Sequence, residues 1–273
     1  MKKLCVIGYP VKHSLSPRLH GYWIKKYGVA ATYDAVEVLP EMLDDFVRRA
    51  VRDGYGGFNV TVPHKRAMMD FCETLDDVAQ KTGAVNLVRI DEKGALHGSN
   101  TDMFGFNANL ESFGVPHPQD DRPALVLGAG GAARAVLCGL LAYGYRRIKI
   151  ANRTFEKAQD IAALFDGVEA VTWDARDNAA TDISLLVNTT SLGMAGQKPL
   201  LFDVLSLPDD AAVCDIVYQP LYTNLLQQSQ ARGLRIVTGI GMLLHQARPS
   251  FAEWFGIMPD IDDGLLAALE GGQ

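Results

Sequence analysis

The stretch Ala124-Leu125-Val126-Leu127-Gly128-Ala129-Gly130-Gly131-Ala132-Ala133-Arg134-Ala135 constrains the fold more than any other part of the chain. Four apolar residues read as a buried strand, a glycine turn follows, and then a run of helix-forming residues begins. Gly128 permits the tight turn, Gly130 lets a ligand come close to the backbone, and Ala133 takes the small position where helix packs on strand. The helix start offers unpaired N–H groups and a partial positive charge to phosphate. With a further strand at residues 147–151, the unit is β–α–β, and its turn fits the pyrophosphate of a dinucleotide.

The end of that second strand distinguishes the two nicotinamide dinucleotides. NAD sites place Asp or Glu there to accept from the ribose hydroxyls. This chain has Ala151-Asn152-Arg153-Thr154 instead. No carboxylate repels a 2′-phosphate, and Arg153 can donate charge-assisted bonds of about 1.5–3 kcal/mol each, with Asn152 and Thr154 as neutral donors. NADP is expected rather than NAD.

Alternation of strand and helix signals extends through the whole chain. In the first hundred residues, strands are expected at 4–8, 32–38 and 56–62. Ser16 serves as N-cap and Pro17 as first residue of a helix reaching Tyr27. Pro40 opens a second helix over 41–52 with Leu43, Phe46, Val47 and Ala50 on one face. A short helix follows Pro63, and strands 85–90 and 95–98 flank Asp91-Glu92-Lys93-Gly94 as a hairpin. A connecting helix is expected at 103–113, and residues 114–123 carry Pro116, Pro118 and Pro123, which punctuate domains. Beyond them come helices at 132–143 and 155–165 and strands at 170–173, 183–188, 213–217 and 235–238. Helices at 242–255 and 265–269 close the chain. The expected fold is α/β in two domains: an N-terminal α/β substrate domain with a mainly parallel sheet, and a C-terminal Rossmann-type dinucleotide-binding domain. The first spans residues 1–102 and is completed by 242–273; the second spans 103–241, with 103–113 as its linker helix.

Composition excludes several classes. Of 273 residues, 48% are hydrophobic and 21% charged, as in folded globular chains rather than disordered ones. The net charge of −6 gives no electrostatic reason to bind nucleic acid or an anionic membrane. The apolar run before Tyr9-Pro10 is too brief for a signal peptide, and no 18-residue apolar stretch exists. Cys5, Cys72, Cys138 and Cys214 lie more than 60 residues from one another, which suits free thiols in a reducing cytoplasm. The six His residues form no ligand pair such as H-E-x-x-H, so no metal site is expected.

If the second domain holds the dinucleotide, the first should hold the substrate, with the chemistry in the cleft between them. Polar residues at strand exits are the candidates: Ser14 and Ser16, Asn59 and Thr61 before Pro63-His64-Lys65, Asn86, and Asn100-Thr101-Asp102. Singly, each is as well explained as a cap, turn or surface residue. Together they describe a pocket rich in hydroxyls and amides, suited to a small polyhydroxylated molecule.

Ser14-Leu15-Ser16-Pro17, Phe58-Asn59-Val60-Thr61-Val62-Pro63-His64-Lys65 and Gly83-Ala84-Val85-Asn86 resemble the substrate domain of the shikimate dehydrogenase family. The resemblance continues in order through Asn100-Thr101-Asp102, the glycine turn, Asn152-Arg153-Thr154 and Asn188-Thr189-Thr190-Ser191-Leu192-Gly193-Met194. Asp215-Ile216-Val217-Tyr218-Gln219-Pro220 and Gly239-Ile240-Gly241-Met242-Leu243-Leu244-His245-Gln246 complete it, so that it covers residues 4–256. It implies reversible NADPH-dependent reduction of 3-dehydroshikimate to shikimate, on the route to chorismate and the aromatic amino acids. On the substrate side it implies that Ser14, Ser16 and Tyr218 hold the carboxylate, while Thr61, Lys65, Asn86, Asp102 and Gln246 meet the hydroxyls and the reacting carbonyl; Asn59 belongs to the same group. On the cofactor side it implies Gly128, Ala129, Gly130, Gly131 and Ala132 at the pyrophosphate and Asn152, Arg153, Thr154 and Lys157 near the adenosine phosphate. Ile216 and Gly239 line the nicotinamide region, joined by Thr190 and Met242, and Asp77 falls at a cofactor-linked position. Partners are then small molecules, without nucleic acid or membrane, in a cytoplasmic monomer or homodimer. His20-Gly21-Tyr22 departs from the Met-His-Asn commoner in the family, a difference expected to touch helix packing.

The same resemblance makes Lys65 the proton donor and Asp102 the group that orients it; taken alone, Lys65 is a solvated lysine at a helix start. His64 is the neighbouring alternative. Lysine titrates at about 10.4 in model peptides, and a nearby carboxylate opposes its deprotonation, so alcohol oxidation should quicken toward alkaline pH. Two other functions fit the same scaffold: quinate or amino-shikimate oxidation, the former with NAD, and a non-catalytic NADP-binding sensor.

Overall fold

A computed structural model describes residues 1–270. The last three residues of the expected 242–273 segment lie outside them. In chain order the elements are β1 (Lys2–Gly8), α1 (Ser16–Lys26), β2 (Ala31–Glu37), α2 (Leu43–Arg52), β3 (Tyr55–Val60), β4 (Thr74–Leu75), α3 (Asp77–Thr82), β5 (Leu87–Ile90) and β6 (Leu96–Ser99). Then come α4 (Asp102–Ser112), β7 (Ala124–Leu127), α5 (Gly131–Tyr143), β8 (Ile148–Asn152), α6 (Phe155–Ala162), β9 (Val168–Thr172), α7 (Arg176–Ala179) and β10 (Leu185–Asn188). The remainder is β11 (Ala212–Asp215), α8 (Asn224–Ala231), β12 (Arg235–Val237), α9 (Ile240–Phe255) and α10 (Asp263–Glu270). The chain divides into two units, Met1–Thr101 with the segment from Leu244 onward, and Asp102–Leu243. Asp102, at the start of α4, falls with the second.

In the first unit six strands lie in the order β2-β1-β3-β5-β6-β4. Strands β1, β2 and β3 are parallel, β5 runs antiparallel to β3 and to β6, and β4 pairs parallel with β6. The continuous apolar run of β1 follows from burial on both faces. Leu4 and Val6 pack with Tyr33, Leu87 and Trp254, whereas Cys5 and Ile7 pack with Phe46, Phe58 and Val88. The hairpin forms as expected, with Asp91 Oδ1 accepting from the N–H groups of Lys93 and Ala95 and Gly94 at φ 85.

The second unit is a fully parallel sheet in the order β12-β11-β10-β7-β8-β9. The order reverses between β7 and β10, the doubly wound arrangement of dinucleotide-binding sheets. Alternation again divides one strand between two cores: Ala124 and Val126 pack with Val136 and Leu140, Leu125 and Leu127 with Leu186 and Val213. Gly139 lets α5 approach α4, since a Cβ there would stand 2.7 Å from Asn107 Oδ1 and 2.8 Å from Phe106.

Several local expectations are corrected. Ser16 is not the N-cap of α1; Leu15 holds that place, and Ser16 lies inside the first turn with its N–H donated to Ser14 Oγ at 3.2 Å. Pro40 opens a 3₁₀ turn, Pro40–Met42, ahead of α2. Residues after Pro63 form turns and then the 3₁₀ segment Ala67–Phe71, so Lys65 is not at a helix start. Strands β4 and helices α7 and α8 were not foreseen. Among the described residues, no helix is long and apolar enough to cross a membrane.

Candidate active site

Strand direction decides which loops of the first unit come together. The exits of parallel β1 and β3 share one edge, and antiparallel pairing brings the start of β5 and the end of β6 to that edge, where Leu87 faces both Asn59 and Ser99. Ser14 and Ser16 after β1, Thr61 and Lys65 after β3, Asn86 before β5 and Thr101 after β6 therefore emerge on one side. Asn86 is buried and donates from Nδ2 to Thr101 Oγ1 at 3.0 Å and to Gln246 Oε1 at 3.3 Å, while its Oδ1 accepts from the Thr101 N–H at 2.8 Å. Thr101 Oγ1 also lies 3.3 Å from Gln246 Oε1. Sequence reasoning brought Asn86 and Gln246 to one site; Thr101 joins them. Its signal was present in the run Asn100-Thr101-Asp102. Half-buried Lys65 is fixed through its main chain, its carbonyl accepting from the Val85 N–H at 2.8 Å.

Other polar residues of this edge are committed to the fold. Asn59 Oδ1 accepts from the Tyr33 hydroxyl at 2.7 Å, and Nδ2 donates to the Asn86 carbonyl and to Ser250 Oγ. Both hydrogens of the amide are used, so Asn59 acts as a brace inside the unit. Asn100 is likewise tied to Thr82 and to the Ala84 carbonyl. His64 is 1% exposed, and its Nε2 lies 2.7 Å from the Val38 carbonyl. That oxygen can only accept, so Nε2 carries the hydrogen. His20, 1% exposed, stacks on Tyr33 at 4.2 Å, and burial depresses its pKa to about 3, so it is neutral. The Tyr22 hydroxyl donates to Asp262. The His20-Gly21-Tyr22 departure therefore touches packing, as expected.

In the second unit, every strand exit lies on the carboxyl edge of the parallel sheet, which gathers there all the expected cofactor residues except Asp77. Asp77 lies at the exposed start of α3 in the first unit. Gly128 has φ 106, and a Cβ on it would stand 2.7 Å from Thr189 Oγ1. At exposed Gly130 and Gly131, by contrast, a Cβ would meet no atom within 4 Å, and α5 has no side-chain cap. Uncapped N–H groups beside bare glycines are the kind of backbone donors that a helix start offers to an anion. Asn152 Oδ1 accepts from the Ala129 N–H at 3.2 Å and Nδ2 donates to the Thr154 carbonyl at 2.8 Å, so this side chain ties the glycine turn to the β8 exit. Arg153, Thr154 and Lys157 are exposed beyond it. Half-buried Ala129, Ile216 and Met242 pack on one core cluster and give this edge an apolar floor. Gly239 has a different reason: a Cβ there would lie 2.4 Å from the Ile216 carbonyl oxygen.

Beneath the edge lies a buried polar network that sequence reasoning did not assign. Asp215, 0% exposed, accepts from Asn188 Nδ2 at 3.0 Å, the Val217 N–H at 3.0 Å and the Thr223 hydroxyl at 2.7 Å. Burial outweighs these bonds and raises its pKa to about 6. Asn188 Oδ1 in turn accepts from the Thr190 hydroxyl at 2.7 Å, which fixes the β10 exit. Burial likewise raises the pKa of half-buried Tyr218, just beyond β11. Among the described residues, no group of three or more His, Cys, Asp or Glu could hold a metal ion.

Three family models match the chain: the shikimate dehydrogenase substrate binding domain over residues 6–88, shikimate / quinate 5-dehydrogenase over 115–193, and the shikimate 5′-dehydrogenase C-terminal domain over 239–264. Shikimate dehydrogenase (NADP(+)) of Methylobacterium radiotolerans is 48% identical over 273 residues, covering 97% of each chain. The protein of the same name from Azorhizobium caulinodans is 46% identical over 266 residues, covering 97% of this chain and 94% of its own. The crystal structure of shikimate 5-dehydrogenase from Thermus thermophilus in complex with NADP(H) and shikimate superposes with a TM-score of 0.89 at 36% identity, covering 99% of both chains.

Proposed function

The chain belongs to the shikimate dehydrogenase family, and we propose that it catalyses the reversible NADPH-dependent reduction of 3-dehydroshikimate to shikimate. What carries this reading is that the likeness to NADP-dependent relatives runs through both the hydroxyl- and amide-lined edge of one sheet and the glycine turn of the other. The β8 exit, free of carboxylate and bearing Arg153, supports NADP over NAD.

On this reading Ser14, Ser16 and Tyr218 take the substrate carboxylate, and Thr61, Asn86, Thr101 and Gln246 the ring hydroxyls. Gly128, Ala129, Gly130, Gly131 and Ala132 take the pyrophosphate, and Arg153, Thr154 and Lys157 the adenosine phosphate, with Asn152 setting the loop. Ile216, Gly239, Thr190 and Met242 face the nicotinamide end, and Asp77 belongs to the cofactor side. NADPH, when bound, supplies the hydride. Negative charge then grows on the ketone oxygen, and the Lys65 ammonium neutralises it by giving up a proton. Asp102 orients that ammonium and, in the reverse direction, favours its reprotonation. The commitment of His64 Nε2–H to Val38 supports Lys65 as the acid. The chain works in the cytoplasm on a small molecule, without nucleic acid, as monomer or homodimer.

The test is a spectrophotometric assay of purified protein with shikimate or quinate and NADP or NAD. The expected result is the highest kcat/KM with shikimate and NADP. Absence of turnover with that pair, or a higher kcat/KM for quinate with NAD, overturns the reading.

A further inference from the structure

Residues 216–223 join β11 to α8 with no helix or strand among them, and they carry Ile216 and Tyr218. The Asp215 carboxylate holds both ends of this loop. Its Oδ1 accepts from the Val217 N–H at 3.0 Å, and its Oδ2 accepts from the Thr223 hydroxyl at 2.7 Å. Asn188 Nδ2 donates to the same Oδ1 at 3.0 Å, and the Ile216 N–H donates to the Asn188 carbonyl at 3.1 Å, so the near end is also tied to the exit of β10. Tyr218 is half-buried within the span that the carboxylate closes. Asp215 and Thr223 are 0% and 1% exposed, so neither side chain reaches a ligand itself. Burial raises the Asp215 pKa to about 6, so its ionisation at neutral pH costs stability. Apolar packing would hold the end of β11 as well. A charge kept at that cost, with donors drawn from opposite ends of one loop, is placed to fix the loop.

We infer that Asp215 is a positioning residue for the substrate carboxylate, acting through Tyr218. This rests on the reading of Tyr218 as a donor to that carboxylate and goes beyond it by naming what holds the tyrosine in place. With the Thr223 hydroxyl removed, the far end of the loop comes free and Tyr218 with it. The Val217 N–H and Asn188 still hold the near end beside Ile216. The grip on the substrate carboxylate therefore weakens more than the grip on the dinucleotide.

Steady-state assays with NADP test this on two substrates, shikimate and its methyl ester, which keeps the ring but lacks the negative charge. Thr223→Val and the smaller Thr223→Ala both remove the hydroxyl. Each is expected to lower kcat/KM for shikimate by about tenfold or more, chiefly through KM, the worth of one hydrogen bond to a charged group. The ester, with no charge to grip, should lose much less, and NADP affinity read by titration should stay at the wild-type value. Asp215→Ala frees both ends of the loop and should lower the ratio of acid to ester further, while Thr223→Ser should restore it. Lost stability alone lowers both substrates alike and leaves that ratio unmoved. A wild-type ratio in the hydroxyl-free variants overturns the inference, and so does a Thr223→Ser enzyme no better than Thr223→Val. Tyr218→Phe should lower the same ratio. If it does not, the reading of Tyr218 as the carboxylate donor falls, and this inference with it.

Discussion

Asn59 Nδ2 donates to Ser250 Oγ at 2.9 Å and so joins β3, inside its sheet, to α9. Ser250 lies one helical turn beyond Gln246, on the same face of α9. The same amide holds the Asn86 carbonyl at 3.1 Å, and Asn86 and Gln246 meet through their side chains. One buried brace therefore sets both partners of the polar cluster.

Ser250→Ala leaves one hydrogen of the Asn59 amide without an acceptor in a site closed to water. The expected cost is about 1–3 kcal/mol of stability, read by denaturant unfolding. A rise in KM for shikimate should accompany it, with KM for NADP unmoved. Stability equal to the wild type would remove the brace from the account.

Asp215 predicts an unusual pH dependence. Its carboxyl is raised from 3.8 to about 6, chiefly by burial, so the folded state holds this proton more tightly than the unfolded chain. Its contribution is fully present below pH 3.8 and is lost as pH rises through about 6, a span worth about 3 kcal/mol. Asp215→Asn loses hydrogen bonds at every pH but has nothing to titrate. Between pH 4 and pH 7 the stability difference between variant and wild type should therefore move about 2 kcal/mol in the variant's favour. Paired urea unfolding curves at those two pH values check this, and a flat difference contradicts it.

Legibility followed how local each signal was. Ala124 to Ala135 contains its own strand, turn and helix, so its conformation was written in consecutive residues, and parallel pairing then fixed the edge on which the other loops emerge. Ser16 was misplaced because proline fits the second helical position as well as the first, so the helix begins at Ser16 with Leu15 at the cap and the Ser14 hydroxyl accepting the Ser16 N–H. Asn59 could not be resolved from sequence, since its partners Tyr33, Asn86 and Ser250 lie 26, 27 and 191 residues away. Helix α8 buries only Leu225, Leu226 and Ser229 and carries Gln along the rest, too short an apolar period to announce it. Asp215 sat in a quoted motif, yet its burial depends on how β10 and β11 pack.

Lys65 and His64 are neighbours in sequence with opposite expected effects. Lys65→Ala should lower kcat by about 10²–10⁴, the usual contribution of general acid–base help, with a smaller change in thermal midpoint than His64→Ala because the side chain is only half-buried. His64→Ala should destabilise instead, since it empties a 1% exposed site and leaves the Val38 carbonyl without its donor. Steady-state kinetics and melting curves on both variants separate the roles. A Lys65→Ala enzyme with most of its turnover would refute the proton-donor role.

Gly128 and Gly130, two residues apart, separate folding from binding. Gly128→Ala places a Cβ in the left-handed region, at φ 106, and 2.7 Å from Thr189 Oγ1, so the fold itself should suffer by about 1–3 kcal/mol. Gly130 has φ −92 and open space around a Cβ, so alanine there fits without strain. Its effect on unfolding should stay within about 1 kcal/mol, the gain in chain rigidity set against a poorer helix cap. Yet a methyl at that point stands where, on the proposed reading, a pyrophosphate must enter, and binding should fall by about tenfold or more for NADP and NAD alike. Unfolding and dinucleotide titration measured on Gly130→Ala decide the matter: unchanged stability with lost affinity marks the turn as a phosphate site, whereas unchanged affinity means the pyrophosphate lies elsewhere.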